Sequence, residues 1–266
     1  MSKKRIVMVA GKASHGGGAH EHPGGCNLLA DLLNKTVPDV EAVVYQGWPT
    51  DAAAFENTAA VIVYSDGGAR HLCIPHLAQI SELAEKGTGI AMLHYAVEVP
   101  KGAPGERFLD WIGGYFETHL SVNPYWTATF TAFPEHPTTR GLEPFALEDE
   151  WYYHMRFREN MQGVTPLLSA IAPASTLTRS DGPHSGNPHV RKSVANGEPQ
   201  HLAWGVERAD GGRGFGFTGG HLHSNWADDR LRKFILNAIT WTAQVEVPEG
   251  GISTPTPTAA ELEAYL

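Results

Sequence analysis

Positive charge is scarce in this sequence. Of 266 residues, 20 are Lys or Arg and 29 are Asp or Glu, for a formal net charge of -9. Recognition of a nucleic-acid backbone needs clustered Lys and Arg. Lys3-Lys4-Arg5 is the one short basic run, so a nucleic-acid partner is not expected. Cysteine is nearly absent. Cys26 and Cys73 cannot build a disulfide framework. Neither of them ends a predicted strand, where a nucleophile would be exposed. No apolar run approaches the ~20 residues of a membrane helix. The run after Met1-Ser2-Lys3-Lys4 is also too short for the core of a signal peptide. A cytoplasmic protein with no membrane partner is therefore the expectation. Three nucleotide or nucleophile signatures are missing as well. Gly11 and Gly16 have phosphate-loop spacing, but Gly17-Gly18 stand where Lys-Ser would be needed. There is no G-x-G-x-x-G opening a helix and no G-x-S-x-G elbow.

What is present is a folding core and an excess of histidine. Hydrophobic residues make up 42% and charged residues 18%, which predicts a packed domain and not a disordered chain. The apolar runs 5–10 (RIVMVA), 41–45 (EAVVY), 60–64 (AVIVY) and 89–94 (GIAMLH) predict buried strands. Leu28, Leu29, Leu32, Leu33 and Val37 predict a helix after the first. Leu77, Ile80, Leu83 and Ala84 predict another, opened by Pro75 and stopped by Gly87. This β-α-β-β-α-β order with continuous apolar strands predicts an α/β fold, an open, mostly parallel sheet flanked by helices. Residues 125–133 and 165–171 are further strand candidates. Residues 173–199 read as one long loop of a kind that is often functional. Residues 201–208 and 214–220 flank a DGGR turn and predict a β-hairpin. Leu231, Phe234, Ile235, Ala238 and Ile239 predict an amphipathic helix. We expect one domain over 1–245 and a C-terminal tail over 246–266. The tail's last helix is expected to dock on a neighbouring subunit, as in a homo-oligomer.

The 14 histidines matter through their positions. Ligands of open α/β sheets bind beyond the carboxyl ends of the strands. Four predicted strand ends carry polar loops there. The first loop holds Ser14, His15, His20, Glu21 and His22. The second holds Ser65, Asp66, Arg70 and His71. The third holds His94, Tyr95 and Glu98. The fourth holds His221, His223, Asn225 and Trp226. Two of the loops contain H-x-H. In extended backbone, residues two apart point the same way, so each pair can present two imidazoles to one cation. WYYHMR adds His154 beside the acidic run 148–150. The pattern alone does not choose which histidines bind or whether a carboxylate joins them. His76, His136, His184 and His189 are assigned to the surface.

Together, the RIVMVAG strand with its AHEH loop, AVIVYSDGG, GIAMLHYA, Trp151-x-x-His154 and HLAWGVERADGGRGFGFTGGHLHSNW resemble the ThuA-like, trehalose-utilisation family. That family is a branch of the class I glutamine amidotransferase-like, flavodoxin-like fold. The resemblance spans residues 4–245. It implies that His94 takes the place of the amidotransferase cysteine, so thiolate glutaminase chemistry is not expected. It also implies carbohydrate catabolism, with keto-sugars or 3-keto-glycosides as the substrate class. A ketone at C3 acidifies the C2 proton, and a divalent metal, zinc or another first-row ion, would stabilise the resulting anion. On this reading His20, His22, His154 and His223 are metal candidates, and His94, Glu21 and His221 are base or accessory candidates. Asp66, Arg70, Tyr95, Trp151, Tyr152 and Trp226 are sugar-binding candidates. The expected activity is that of a lyase or isomerase. The alternatives are a catalytically silent sugar-binding protein and a metal-dependent hydrolase.

Overall fold

The computed structural model describes residues 3–266; Met1 and Ser2 of the leading tetrapeptide lie outside the described residues. β1 (Lys4–Ala10), β2 (Val40–Gln46), β3 (Thr58–Tyr64) and β4 (Gly89–Leu93) form where the apolar runs predict them. β9 (Val164–Ile171), β10 (Pro199–Glu207) and β11 (Arg213–Phe217) complete a seven-stranded sheet of order β2-β1-β3-β4-β11-β10-β9. The first five strands in that order run parallel. β10 is antiparallel to both of its neighbours, so the predicted hairpin is built into the sheet.

Alternate residues of each strand feed two cores, which is why the runs are continuously apolar. Ile6, Met8 and Ala10 face α1 (His22–Thr36) and α5 (Asp229–Thr242). Val7 and Val9 face α2 (Leu77–Glu85) and α3 (Ala103–Ile112). Helices thus cover both faces, as buried parallel strands require. The Asp228 side chain accepts hydrogen bonds from the N–H groups of Arg230 and Leu231 and so caps α5.

The middle third differs from its prediction. The expected strand over 125–133 ends at Phe130. As β6 (Tyr125–Phe130) it pairs with β7 (Phe145–Glu150) in a separate ribbon. β5 (Gly114–Tyr115) and β8 (Arg156–Phe157) form a second small ribbon. The stretch 173–199 is not wholly loop. It contains α4 (Pro188–Ala195), started by Pro188, with Val190 and Val194 buried among otherwise polar residues.

The C-terminal segment folds back on its own chain. In α6 (Ala259–Glu263) the capping box of Thr258 and Glu261 fixes the start, Leu262 is buried, and the Tyr265 hydroxyl donates to Asp31 at 2.6 Å on α1. The helix expected to seek another subunit therefore has its seat within this one. Among the described residues no helix is long and apolar enough to cross a membrane.

Candidate metal centre

Four adjacent parallel strands, β1, β3, β4 and β11, end on one rim. Each delivers one polar side chain to it: His20, Asp66, His94 and His221. β1 and β11 are not neighbours in the sheet, yet their loops are zipped together above it. Ala19 and Leu222 form an antiparallel bridge, the His20 N–H donates to the His221 carbonyl at 2.9 Å, and the His223 N–H donates to the Gly18 carbonyl at 2.8 Å. His94 is the first residue after β4 and has a left-handed backbone, φ 55; His20 is similar at φ 48. Non-glycine residues in this region are uncommon and cluster at functional sites.

His20, His94 and His221 are buried and converge with Glu150, the last residue of β7. His20 Nε2 lies 3.0 Å from His94 Nε2 and 3.0 Å from His221 Nδ1. His94 Nε2 lies 3.2 Å from His221 Nδ1, and Glu150 Oε2 is 3.0 Å from His221 Nδ1 and 3.7 Å from His94 Nε2. The Tyr152 hydroxyl reaches His94 Nε2 at 3.2 Å.

The outer nitrogens decide the tautomers. His20 Nδ1 lies 2.8 Å from the Asp66 carboxylate and must donate to it, and His94 Nδ1 donates to the Thr218 carbonyl at 2.9 Å. Both Nε2 atoms therefore carry lone pairs, and those lone pairs face each other at 3.0 Å. A hydrogen bond between them is ruled out unless one ring is protonated. Protonation is opposed by burial, reinforced by the neighbouring imidazoles. His20 is lowered from 6.5 to about 4 despite its bond to Asp66, and His94 falls well below its ordinary value. Three acceptors, His20 Nε2, His94 Nε2 and Glu150 Oε2, thus meet at most two protons, from Tyr152 and His221.

A divalent cation at this point would resolve the conflict. Tetrahedral zinc with Zn–N bonds of 2.0–2.1 Å sets its ligand atoms about 3.3 Å apart. The three imidazole nitrogens stand 3.0, 3.0 and 3.2 Å from one another. A carboxylate on the far nitrogen of one ligand histidine and a carbonyl on another is the usual outer arrangement of such sites.

A cleft of about 690 Å³ adjoins the cluster. Lys12, His15, Gln46, Asp66, Arg70 and Tyr95 are among its lining residues. Three of them also touch His20. Asp66 accepts its proton, the His15 ring lies 4.0 Å away, and the Tyr95 ring lies edge-on at 5.8 Å. Burial pushes the Asp66 carboxyl up, but hydrogen bonds from His20 and Ser14 outweigh it and the pKa falls. Burial and the Glu98 charge push Tyr95 up to about 12. Tyr125, half exposed, stands edge-on to His221 at 5.0 Å.

Several expected site residues lie elsewhere. The H-x-H pairs do not converge, because each runs straight into a helix and not along extended backbone. His22 opens α1, donates to the Lys12 carbonyl at 2.8 Å, and its Nε2 lies 3.9 Å from Asp66 Oδ1 with no hydrogen bond among the described residues. His223 opens a 3₁₀ turn and donates to the Leu262 carbonyl at 3.1 Å. One histidine of each pair enters the cluster and the other packs beneath it. His154 is remote, 5.1 Å ring to ring from His189, with its N–H on Gln200. Glu21 accepts from the Gly18 N–H and braces the loop. Trp151 and Trp226 are core residues at 0% and 1% exposure and offer no face to a ligand. Sequence spacing does not single out Glu150 or Tyr125 as site residues, and it offers His15 only as part of its loop. The pairing of β6 with β7, which puts Tyr125 opposite Glu150, was the missing link.

Among curated proteins none matches this chain. Among solved structures, a ThuA-like protein from Bacteroides uniformis aligns over 90% of this chain and 91% of its own at 17% identity, TM-score 0.59. A ThuA-like protein from Parabacteroides merdae aligns over 96% and 98% at 13% identity, TM-score 0.55. A glutamine amidotransferase from Thermotoga maritima aligns over 92% and 97% at 8% identity, TM-score 0.47. The ThuA family, described as trehalose utilisation, matches residues 6–242. A match over nearly the whole chain, on the strands and loops that build the histidine cluster, places this protein in the ThuA family.

Proposed function

We propose that the chain is a metal-dependent enzyme that removes the C2 proton of a keto-sugar or 3-keto-glycoside and acts as a lyase or isomerase. The observation that carries this reading is the pair of opposed lone pairs on His20 and His94, completed by His221 and Glu150 beside a cleft large enough for a sugar. These four side chains would hold the ion, a set that keeps His20 of the four metal candidates, takes His94 and His221 from the base or accessory candidates, and adds Glu150 in place of His22, His154 and His223.

A divalent cation bound there supplies Lewis-acid polarisation of a ketone oxygen. The protein's own residues do the rest. Asp66 and the Thr218 carbonyl fix the tautomers of His20 and His94. Asp66 and Arg70 line the cleft and offer an acceptor and a planar set of donors to sugar hydroxyls. His15 stands between cleft and cluster, half exposed, with Ser14 Oγ 2.7 Å from its Nδ1. Its other ring nitrogen is the proton acceptor for C2. Tyr125 and Tyr95 supply ring faces and edges in place of the buried tryptophans.

The test has two parts. Purified protein is assayed for bound metal by mass spectrometry, and methyl 3-keto-glucopyranoside is incubated with it in deuterated water. One equivalent of metal is expected, together with loss of H2, seen either as deuterium at C2 of recovered or isomerised sugar or as a C1=C2 elimination product; all are lost in His94→Ala. A wild-type protein that binds no zinc, manganese, cobalt or nickel and neither exchanges H2 nor forms the unsaturated product overturns the proposal.

A further inference from the structure

The long segment after β9 sends one side chain back to the rim. His184 Nε2 lies 2.9 and 3.1 Å from the two oxygens of Glu98. Glu98 is only 3% exposed, and His184 is the only cationic partner it has among the described residues. The imidazole is about one-third exposed, and its Nδ1 makes no protein hydrogen bond among the described residues. The segment is pinned in this pose. The His184 carbonyl accepts from the Asn123 N–H and from Arg179, the Pro183 carbonyl accepts from the His119 N–H, and the ring stacks on Phe116 at 5.4 Å.

This dyad adjoins the proposed centre on two sides. Phe116 lies between His184 and Tyr152, at 5.4 and 5.5 Å ring to ring, and Tyr152 touches His94. The Asn123 side chain, next to the backbone that holds His184, donates to Glu150 Oε1 at 3.1 Å. Toward the cleft, a point one methyl group out from Gly68 lies 3.5 Å from the Tyr95 hydroxyl and 3.6 Å from Glu98 Oε1. The buried carboxylate and the cleft residue Tyr95 thus flank the same glycine.

We propose that His184, held by Glu98, is a second proton-transfer residue of this site and protonates the departing oxygen of a glycoside. The inference rests on the proton-abstraction reading above and extends it. A base on the cleft side takes H2. The C2–H electron pair becomes the C1=C2 bond, the C1–O bond breaks with its pair on oxygen, and the imidazolium proton moves to that oxygen. The products are an alcohol and an unsaturated keto-sugar, with no oxidant or reductant needed. Glu98 is a positioning residue: it holds the Nε2–H, leaves the Nδ1–H of the imidazolium as the proton to be given, and favours the imidazolium. The hydrogen bond to Glu98 raises the His184 pKa, burial and Arg179 oppose it, and Glu150 adds to it.

Leaving-group dependence tests the role. Methyl and 4-nitrophenyl 3-keto-glucosides are compared with wild type, His184→Gln and Glu98→Gln. Methanol is a poor leaving group and needs an acid, whereas 4-nitrophenolate does not. His184→Gln should slow methanol release by about 10²-fold or more and 4-nitrophenol release by less than about threefold. Glu98→Gln should lower the His184 pKa read by NMR. Equal slowing of both substrates in His184→Gln marks a structural latch and overturns the inference, and so does no slowing of either. If wild type neither exchanges H2 nor forms the unsaturated keto-sugar, the parent reading falls and this one falls with it. If wild type does either and the variant shows no leaving-group difference, only the present inference fails.

Discussion

Asp149 makes the sharpest test of how the centre is held. It is fully buried at the end of β7 and touches no substrate-facing surface. Its Oδ1 accepts from the Glu150 N–H at 2.8 Å and the His221 N–H at 3.1 Å, and its Oδ2 accepts from the Gly220 N–H at 2.8 Å. One carboxylate thus ties together the backbones of two cluster members from different ribbons. Burial pushes its pKa up, and the N–H groups pull it back. Asp149→Asn can keep both bonds to Oδ1 but turns an NH₂ toward the Gly220 N–H. That leaves one buried donor unpaired, a cost of about 1–3 kcal/mol. Asp149→Ala unpairs all three donors and should cost about 3–5 kcal/mol, partly relieved by water entering the space. Urea unfolding of metal-free protein measures both, and the order Ala worse than Asn is the signature. Because the same bonds set the positions of His221 and Glu150, zinc affinity in a chelator competition should fall about 10–100-fold in Asp149→Asn. Full stability and unchanged zinc affinity in Asp149→Asn would show that these bonds do not position the cluster.

Three further outcomes follow from single contacts. His71 is buried away from the cluster, donates Nε2–H to the Ala96 carbonyl and accepts the Cys73 N–H at Nδ1; burial lowers its pKa from 6.5 to about 4. A histidine depressed on folding stabilises above its unfolded pKa and loses that stability as pH falls from 6.5 towards 4. Its share is about 3 kcal/mol, so denaturation at about pH 7.5 and about pH 4.5 should show a smaller acid loss in His71→Phe than in wild type. Gly67 lines the cleft, and a Cβ there would overlap the Tyr95 and Glu98 carbonyls. Gly67→Ala should lower thermal stability by about 1–3 kcal/mol and weaken any sugar binding seen by calorimetry, whereas Gly17→Ala, with open space around its Cβ, should change neither. Leu262→Ala removes the buried anchor of α6 beside His223 and should cost about 2–3 kcal/mol in urea unfolding, without shifting sedimentation.

The sheet was legible because its strands are buried on both faces and so read as unbroken apolar runs. The rim was legible for the same reason, since the residue after each run falls at a strand's carboxyl end. His94, His20, His221 and Asp66 could all be placed by that rule. The proposed ligand set was less legible, because it depends on what happens in the next two residues. Period-two logic paired His20 with His22 and His221 with His223, but extended backbone does not continue through either pair. His20 takes a left-handed turn and His22 starts α1; His223 starts a 3₁₀ turn. Pro23, at the first turn of α1, was the available sign that a helix begins there. Glu150 was hidden differently. Within the acidic run 148–150, Glu148 is exposed, Asp149 is buried on backbone donors and Glu150 reaches the histidines. Three adjacent carboxylates have three separate roles, and only the β6–β7 pairing sorts them. His184 was hidden by composition. Its Ser-, Pro- and Gly-rich surroundings read as solvated loop, yet that same lack of a competing local structure lets the segment follow Asn123 and Phe116 down to a carboxylate that no other cation meets among the described residues. The centre is thus specified by long-range pairing of loops, and single-sequence periodicity reports only the strands that carry them.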